Sequence, residues 1–80
     1  MGKLIKKYRN AQITATIFEN EKTVEEKPVI FHSVLVEKSY KTNDEEWKKT
    51  NNFSISDLPK IESVVRKAYE YLSVIQDEGK

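Results

Sequence analysis

The spacing of apolar residues changes once along this chain, and that change limits the fold more than any other feature. Residues 11–18, AQITATIF, alternate, with Ala11, Ile13, Ala15 and Ile17 on one side and mostly polar residues between them. From residue 58 onward, apolar residues recur at three- and four-residue steps. The first spacing is typical of a half-buried strand and the second of an amphipathic helix. The sequence therefore predicts strands first and a helix after them.

Two more strands are predicted between the first strand and the helix. Residues 28–40, PVIFHSVLVEKSY, are apolar on both faces in their first half, which is typical of a strand covered on both sides. Residues 47–55, WKKTNNFSI, form the third strand, with Trp47, Phe53 and Ile55 predicted on a common face. The polar segments 19–27 and 41–46 are the predicted connections, with Asn20 and Asn43 as the left-handed turn residues.

The helix is predicted to begin near Ser56-Asp57, either of which can cap it, and to end near residue 75. The sequence thus predicts one α+β domain over residues 1–80. It consists of a curved antiparallel β-meander of three strands, with 3–9 as a candidate fourth, followed by one long C-terminal helix. We expect residues 1–7 and 76–80 to be flexible.

Composition argues against an enzyme and against a metal or cofactor site. The 80-residue chain has no cysteine, one histidine, and glycines only at positions 2 and 79, so it lacks thiolate ligands and an internal phosphate-cradling loop. The lone His32 is more typical of packing than of catalysis, and Asp44, Glu45 and Glu46 are consecutive carboxylates typical of a solvated turn. We expect no enzyme activity, no cofactor and no metal.

The expected setting follows from length and hydropathy. No apolar run approaches the roughly 18 residues that span a bilayer, and the first residues, MGKLIKKYRN, lack the apolar stretch of a signal peptide. We therefore expect a cytoplasmic protein without membrane contact. Because so short a chain buries a thin core, we also expect a homodimer.

Basic and aromatic residues recur together, as in proteins that hold phosphates on lysines and stack bases on rings. The net charge is only +1, but three clusters concentrate these residues at strand ends. The predicted nucleic-acid-binding residues are Lys6, Lys7, Tyr8, Arg9, Lys38, Tyr40, Lys41, Trp47, Lys48, Lys49, Asn51 and Asn52. The second and third clusters flank one turn, so we expect them to lie close together.

Each cluster also has a purely structural interpretation. Lys6–Arg9 can be a solvated terminus, the strand lysines can discourage edge aggregation, and Tyr40 and Trp47 can pair across their hairpin to cover the rim of the core. On the helix, the apolar stripe is wider than one small sheet requires. Its predicted dimer-interface residues are Val64, Ala68, Tyr69, Tyr71, Leu72 and Ile75.

The segments YRNAQITATIFENE and SYKTNDEEWKKTNNFSISDL, followed by an amphipathic helix, resemble a group of short, poorly characterised prokaryotic β-β-β-α proteins. The order of elements is also broadly similar to that of the transcriptional positive coactivators and the plant whirly proteins. This resemblance implies binding of single-stranded DNA on a curved antiparallel sheet, and for the coactivators a dimer whose helices pack together. The chain departs from the coactivators in having three clear strands rather than four.

Two hypotheses follow from the sequence. The first is a small homodimeric protein that binds single-stranded DNA, or RNA, through basic and aromatic residues on the sheet. The alternative is a protein–protein interaction module without nucleic-acid activity, which uses the helix stripe and the second face of the 29–35 strand.

Overall fold

A computed structural model describes residues 2–78 of the chain, with side chains for residues 2–74. The elements are β1 (Lys3–Asn10), β2 (Ile13–Val24), β3 (Lys27–Lys41), β4 (Trp47–Thr50), a 3₁₀ turn (Ile55–Asp57) and helix α1 (Leu58–Glu78). Each strand pairs antiparallel with the next, in the sheet order β1-β2-β3-β4. The predicted α+β class is confirmed, and the 3–9 segment supplies the fourth strand.

The hairpin between β2 and β3 is longer than the sequence predicted. The two strands stay paired from Ile13–Lys38 to Val24–Lys27, so the predicted 19–27 connection is mostly strand. The actual turn is only Glu25-Glu26, with φ of 52° and 67°. Positive φ at both positions of a two-residue loop matches the right-handed twist of the flanking strands. The prediction that Asn20 is the left-handed residue is therefore wrong.

The turn between β3 and β4 also uses a glutamate where an asparagine was predicted. Glu45, with φ of 61°, is the left-handed residue, and Asn43 is not. The backbone amide of Glu45 donates to Thr42 O at 2.9 Å, and the amide of Thr42 donates to Glu46 O at 2.8 Å. These two hydrogen bonds close the loop and pin Trp47 opposite Lys41.

The fourth strand is shorter than predicted. It ends at Thr50, after which Asn51 Nδ2 donates to Val36 O at 2.8 Å and the chain leaves the ladder. Phe53 then packs against the buried cluster that contains Ile13 and Val64. Trp47 instead lies on the opposite side of the sheet, so the prediction of a common face for Trp47 and Phe53 is wrong.

The core lies between β2 and α1. Ile13, Ala15 and Ile17 alternate along β2 as predicted and are fully buried. Val64 of α1 packs with Ile13 and Ala15, and Ala68 of α1 is buried as well. Ala11, predicted on the same face, is instead an exposed turn residue with φ of 55°. We call this face of the sheet the helix side, and the face that α1 leaves uncovered the open side. Because side chains alternate along a strand and paired residues share a face, the residues of β3 that pair with Ile13, Ala15 and Ile17 also lie on the helix side, and the intervening residues of both strands lie on the open side.

Three hydrogen bonds to one carboxylate join the sheet to the start of the helix. Asp57 Oδ2 accepts hydrogen bonds from Lys38 Nζ at 2.8 Å and from the backbone amide and the hydroxyl of Ser54, each at 2.9 Å. These hydrogen bonds, that from Lys38 above all, lower the pKa of the Asp57 carboxyl from its ordinary 3.8 to about 2. The helix was predicted to begin near Ser56-Asp57; α1 begins at Leu58, and the 3₁₀ turn before it carries the cap.

The far end of the β2–β3 hairpin extends beyond its neighbours. Strand β1 pairs with β2 only as far as Glu19, and β4 pairs with β3 only at 38–41, so residues 20–31 form a two-stranded arm. The molecule measures 50 × 24 × 17 Å, with a radius of gyration of 15.3 Å. A compact domain of this length would have about 12 Å. On the arm, Val24, Val29, Ile30 and Phe31 are all exposed.

Candidate nucleic-acid interface

A groove of about 450 Å³ lies on the open side, across the end of the sheet that contains the β3–β4 turn. All four strands contribute to it, because Arg9 pairs with Thr14, Thr14 pairs with Glu37, and Ser39 pairs with Lys49 across successive ladders. The groove is lined by Lys7, Arg9, Thr14, Glu37, Ser39, Trp47 and Lys49. Residues from distant parts of the chain thus share one concave surface.

Trp47 supplies the aromatic surface of this groove. It is the first residue of β4, and the register Lys41–Trp47 places it on the open side, away from the core. The residue is 64 % exposed, although tryptophan is highly buried on average in folded proteins. An exposed indole on a concave surface is a platform on which a planar ligand can stack.

Four cationic side chains lie on the open side near Trp47. Lys7 and Arg9 come from β1, Lys41 from the end of β3, and Lys49 from β4. Arg9 is oriented by a hydrogen bond from its Nε to Ala11 O at 2.8 Å. Lys41 and Lys49 each lie 3.7 Å from a glutamate oxygen, of Glu45 and Glu37 respectively, in exposed pairs that hold them weakly.

The other predicted binding residues of the strands face the helix side. Two of the lysines there are engaged: Lys38 pairs with Asp57, and Lys6 Nζ lies 5.5 Å above the ring of Tyr8. Tyr8 itself packs against the buried core. The strand residues on this side are Lys6, Tyr8, Lys38, Tyr40 and Lys48. A nucleic acid on the open side would not reach them.

The two predicted asparagines lie at the end of β4. Asn51 uses its side-chain amide to satisfy Val36 O, while the backbone amide of Asn52 donates to Thr50 Oγ1 at 3.1 Å and its side chain is exposed. Asn51 therefore has a structural partner in this chain.

The predicted dimer residues of α1 also separate into groups. Val64 and Ala68 are buried beneath the chain's own sheet, and Tyr71 and Leu72 are half-buried. Tyr69 is 70 % exposed. The side chain of Ile75 lies outside the described residues. Tyr69 shares one flank of the helix with exposed Val65, one turn before it, and with Leu58.

Sequence reasoning did not single out three residues that line the groove, namely Thr14, Glu37 and Ser39. Their signal was present in the strict alternation of β2 and β3, which places them on the same side as Phe18 and Leu35. This alternation could have identified the three residues only together with the register of the sheet, because the register decides which residues of two strands become neighbours.

A second groove of about 610 Å³ opens on the helix side, between β1 and α1. Its residues include Tyr8, Asn10, Ser63, Lys67 and Tyr71. Asn10 Nδ2 donates to Ser63 Oγ at 2.8 Å, and this hydrogen bond ties β1 to α1.

No known protein family, curated protein or solved structure matches this chain. Among the residues that the structure describes, none of the helices is long and apolar enough to cross a membrane. The described side chains likewise include no cluster of three or more potential metal ligands. The geometry of the groove is therefore the main guide to function.

Proposed function

We propose that this protein binds single-stranded nucleic acid, with single-stranded DNA as the main ligand, in the open-side groove. Phosphates would lie along Lys7, Arg9, Lys41 and Lys49, and a base would stack on Trp47. The observation that supports this most directly is the exposed indole in a groove that also contains three cations. Stacking on aromatic rings combined with a cationic track is the general mode of single-strand binding.

The distribution of charge supports the proposal although the total charge does not. The whole chain carries +1. The open side outside the arm presents four cations, Lys7, Arg9, Lys41 and Lys49, against the two carboxylates paired with them, Glu37 and Glu45, which is a local excess of two positive charges. Attraction of a polyanion depends on this local field more than on the net charge of the molecule.

We further propose that the chain acts as a homodimer. Apolar side chains are exposed on the arm, among them Val29 and Phe31, and on the helix flank, among them Val65 and Tyr69. A two-stranded hairpin alone is marginally stable in water, so the arm would gain stability from a covering surface. A second copy would supply one and would place two grooves on one assembly.

Anisotropy of labelled single- and double-stranded oligonucleotides across a salt series tests the binding proposal, with molecular mass measured on the same sample. We expect tighter binding of the single strand and a steep fall in affinity with salt. Equal and weak binding of both forms at low ionic strength would count decisively against a nucleic-acid function.

The second candidate is a protein–protein interaction module, and the same exposed apolar residues favour it. If it is correct, Tyr69→Glu abolishes assembly with the partner, while Lys49→Glu leaves assembly unchanged. Arg66→Glu, a charge change at another exposed helix position, serves as the matched control. A well-behaved monomeric Tyr69→Glu variant that still binds oligonucleotide fully would separate DNA binding from assembly and favour the first candidate.

A further inference from the structure

Glu37 is the only acid among the described residues that line the open-side groove. A carboxylate there repels phosphates, and its nearest charged neighbour is Lys49, whose Nζ lies 3.7 Å from Glu37 Oε1. The side chain of Glu37 is 25 % exposed and that of Lys49 is 60 % exposed, so the carboxylate belongs to the wall and the ammonium group to the rim. An exposed pair of this kind stabilises a fold by little, which leaves the carboxylate without a strong structural role.

The chemistry of the bases gives this carboxylate a function. An ionised carboxylate only accepts hydrogen bonds, and bases of single strands are commonly read along their Watson–Crick edges. Guanine presents two adjacent donors on that edge, N1–H and the N2 amino group, which match the two carboxylate oxygens. Thymine presents one N–H between two carbonyl oxygens, which a carboxylate repels.

We propose that Glu37 makes the groove selective for guanine, by accepting hydrogen bonds from the Watson–Crick edge of a base that stacks on Trp47. This inference rests on the proposed function and deepens it. Lys49, beside the carboxylate, donates to the guanine O6 atom that neighbours N1. Thr14 and Ser39 line the same groove and add hydroxyl groups to its polar lining.

The test compares oligonucleotides that differ in one base. Labelled oligo(dT) carries at its centre a single guanine or inosine, or no replacement, and binding is measured by anisotropy for the unmodified chain and for Glu37→Gln. A single guanine avoids four-stranded assemblies. Inosine keeps N1–H but lacks the N2 amino group. The difference in affinity between the guanine- and inosine-containing strands therefore reports the hydrogen bond from the N2 amino group alone.

We expect the unmodified chain to bind the guanine-containing strand about fivefold or more tightly than oligo(dT), the low end for a bidentate base contact. The inosine-containing strand is expected between the two. In Glu37→Gln the ratio should fall, because the amide keeps only one of the two acceptor oxygens that the guanine donors match. Removing a negative charge strengthens binding of every strand by a common factor, and the ratio cancels that factor.

The outcomes separate this inference from the proposed function. Tight, salt-dependent binding without guanine preference, or a preference that is undiminished in Glu37→Gln, overturns the role of Glu37 and leaves the groove as a general single-strand site. Failure to bind any of the strands at low ionic strength overturns the proposed function itself. Because glutamine has the size of glutamate and Glu37 is partly exposed, the variant is expected to fold, and circular dichroism verifies this.

Discussion

Lys6 and Lys7 are neighbours in sequence but lie on opposite sides of the sheet, and this makes them a matched pair for testing which face binds. Lys6 Nζ lies 5.5 Å from the ring centroid of Tyr8 on the helix side. Lys7 lines the open-side groove. Both are exposed positions of the same edge strand, so replacing either by glutamine costs the fold little.

The expected effect follows from the number of phosphates that the groove can neutralise. For single strands, the logarithm of affinity falls with the logarithm of salt concentration with a slope of about −0.7 per neutralised phosphate. The four open-side cations then predict a slope of about −2.8 per protomer. Lys7→Gln should reduce the slope to about −2.1, and Lys6→Gln should leave it unchanged.

The assay is anisotropy of a labelled oligo(dT) strand across a salt series, with the two variants measured in parallel. The slope is the quantity to compare, because it counts charges independently of small changes in fold stability. Equal slopes for the two variants, or a larger change for Lys6→Gln, would refute binding on the open side.

Three predictions concern the fold. Ile13→Val should lower the free energy of unfolding by about 1 kcal/mol in urea denaturation, because it removes a methyl group from a fully buried site. Val24→Ala on the exposed arm should lower the free energy of unfolding clearly less. Equal losses of stability in the two variants would contradict this location of the core. Because the folded pKa of Asp57 is depressed, its stabilising effect is full above pH 3.8 and is lost as pH falls towards about 2. Asp57→Asn should therefore flatten the loss of stability with pH in that window, and an unchanged acid profile would argue against the Lys38–Asp57 contact. Replacing Glu25-Glu26 by Asn-Gly should raise the unfolding free energy by about 1 kcal/mol, since both positions have positive φ; a loss of stability would mean that the turn differs from the one described.

The class of fold was predictable because it depends on local periodicity. The alternation at Ile13, Ala15 and Ile17 identified both the strand and its buried face, and the later three- and four-residue spacing identified the helix. These patterns report which residues meet the core, and the core is what selects the structure.

The misplacement of the β2–β3 turn has its physical origin in the arm. Segment 19–27 is polar and its residues from Glu21 onward are exposed within the described chain, and an exposed strand does not show the alternation of a half-buried one. The turn was then placed at Asn20, the residue most tolerant of left-handed geometry, although the ladder continues to Val24. Glu25 and Glu26 adopt that geometry because the twist of the paired strands favours it.

The candidate site was predictable in residue type but not in geometry. The sequence singled out Trp47, Lys49, Lys7 and Arg9, which the structure brings together on the open side. It also singled out Lys38, which is tied to Asp57 on the other side. The side of the sheet on which each lysine lies depends on the register of its strand pairing, because a shift by one residue moves a side chain to the opposite face.

Fluorescence of Trp47 during titration with oligo(dT) at low ionic strength tests the central claim most directly. It is the only tryptophan in the chain, so its emission reports the open-side groove alone. We expect saturable quenching by the oligonucleotide, together with protection of the indole from a small neutral quencher such as acrylamide. Binding that is visible by anisotropy but leaves both the emission and the accessibility of Trp47 unchanged would contradict stacking in this groove.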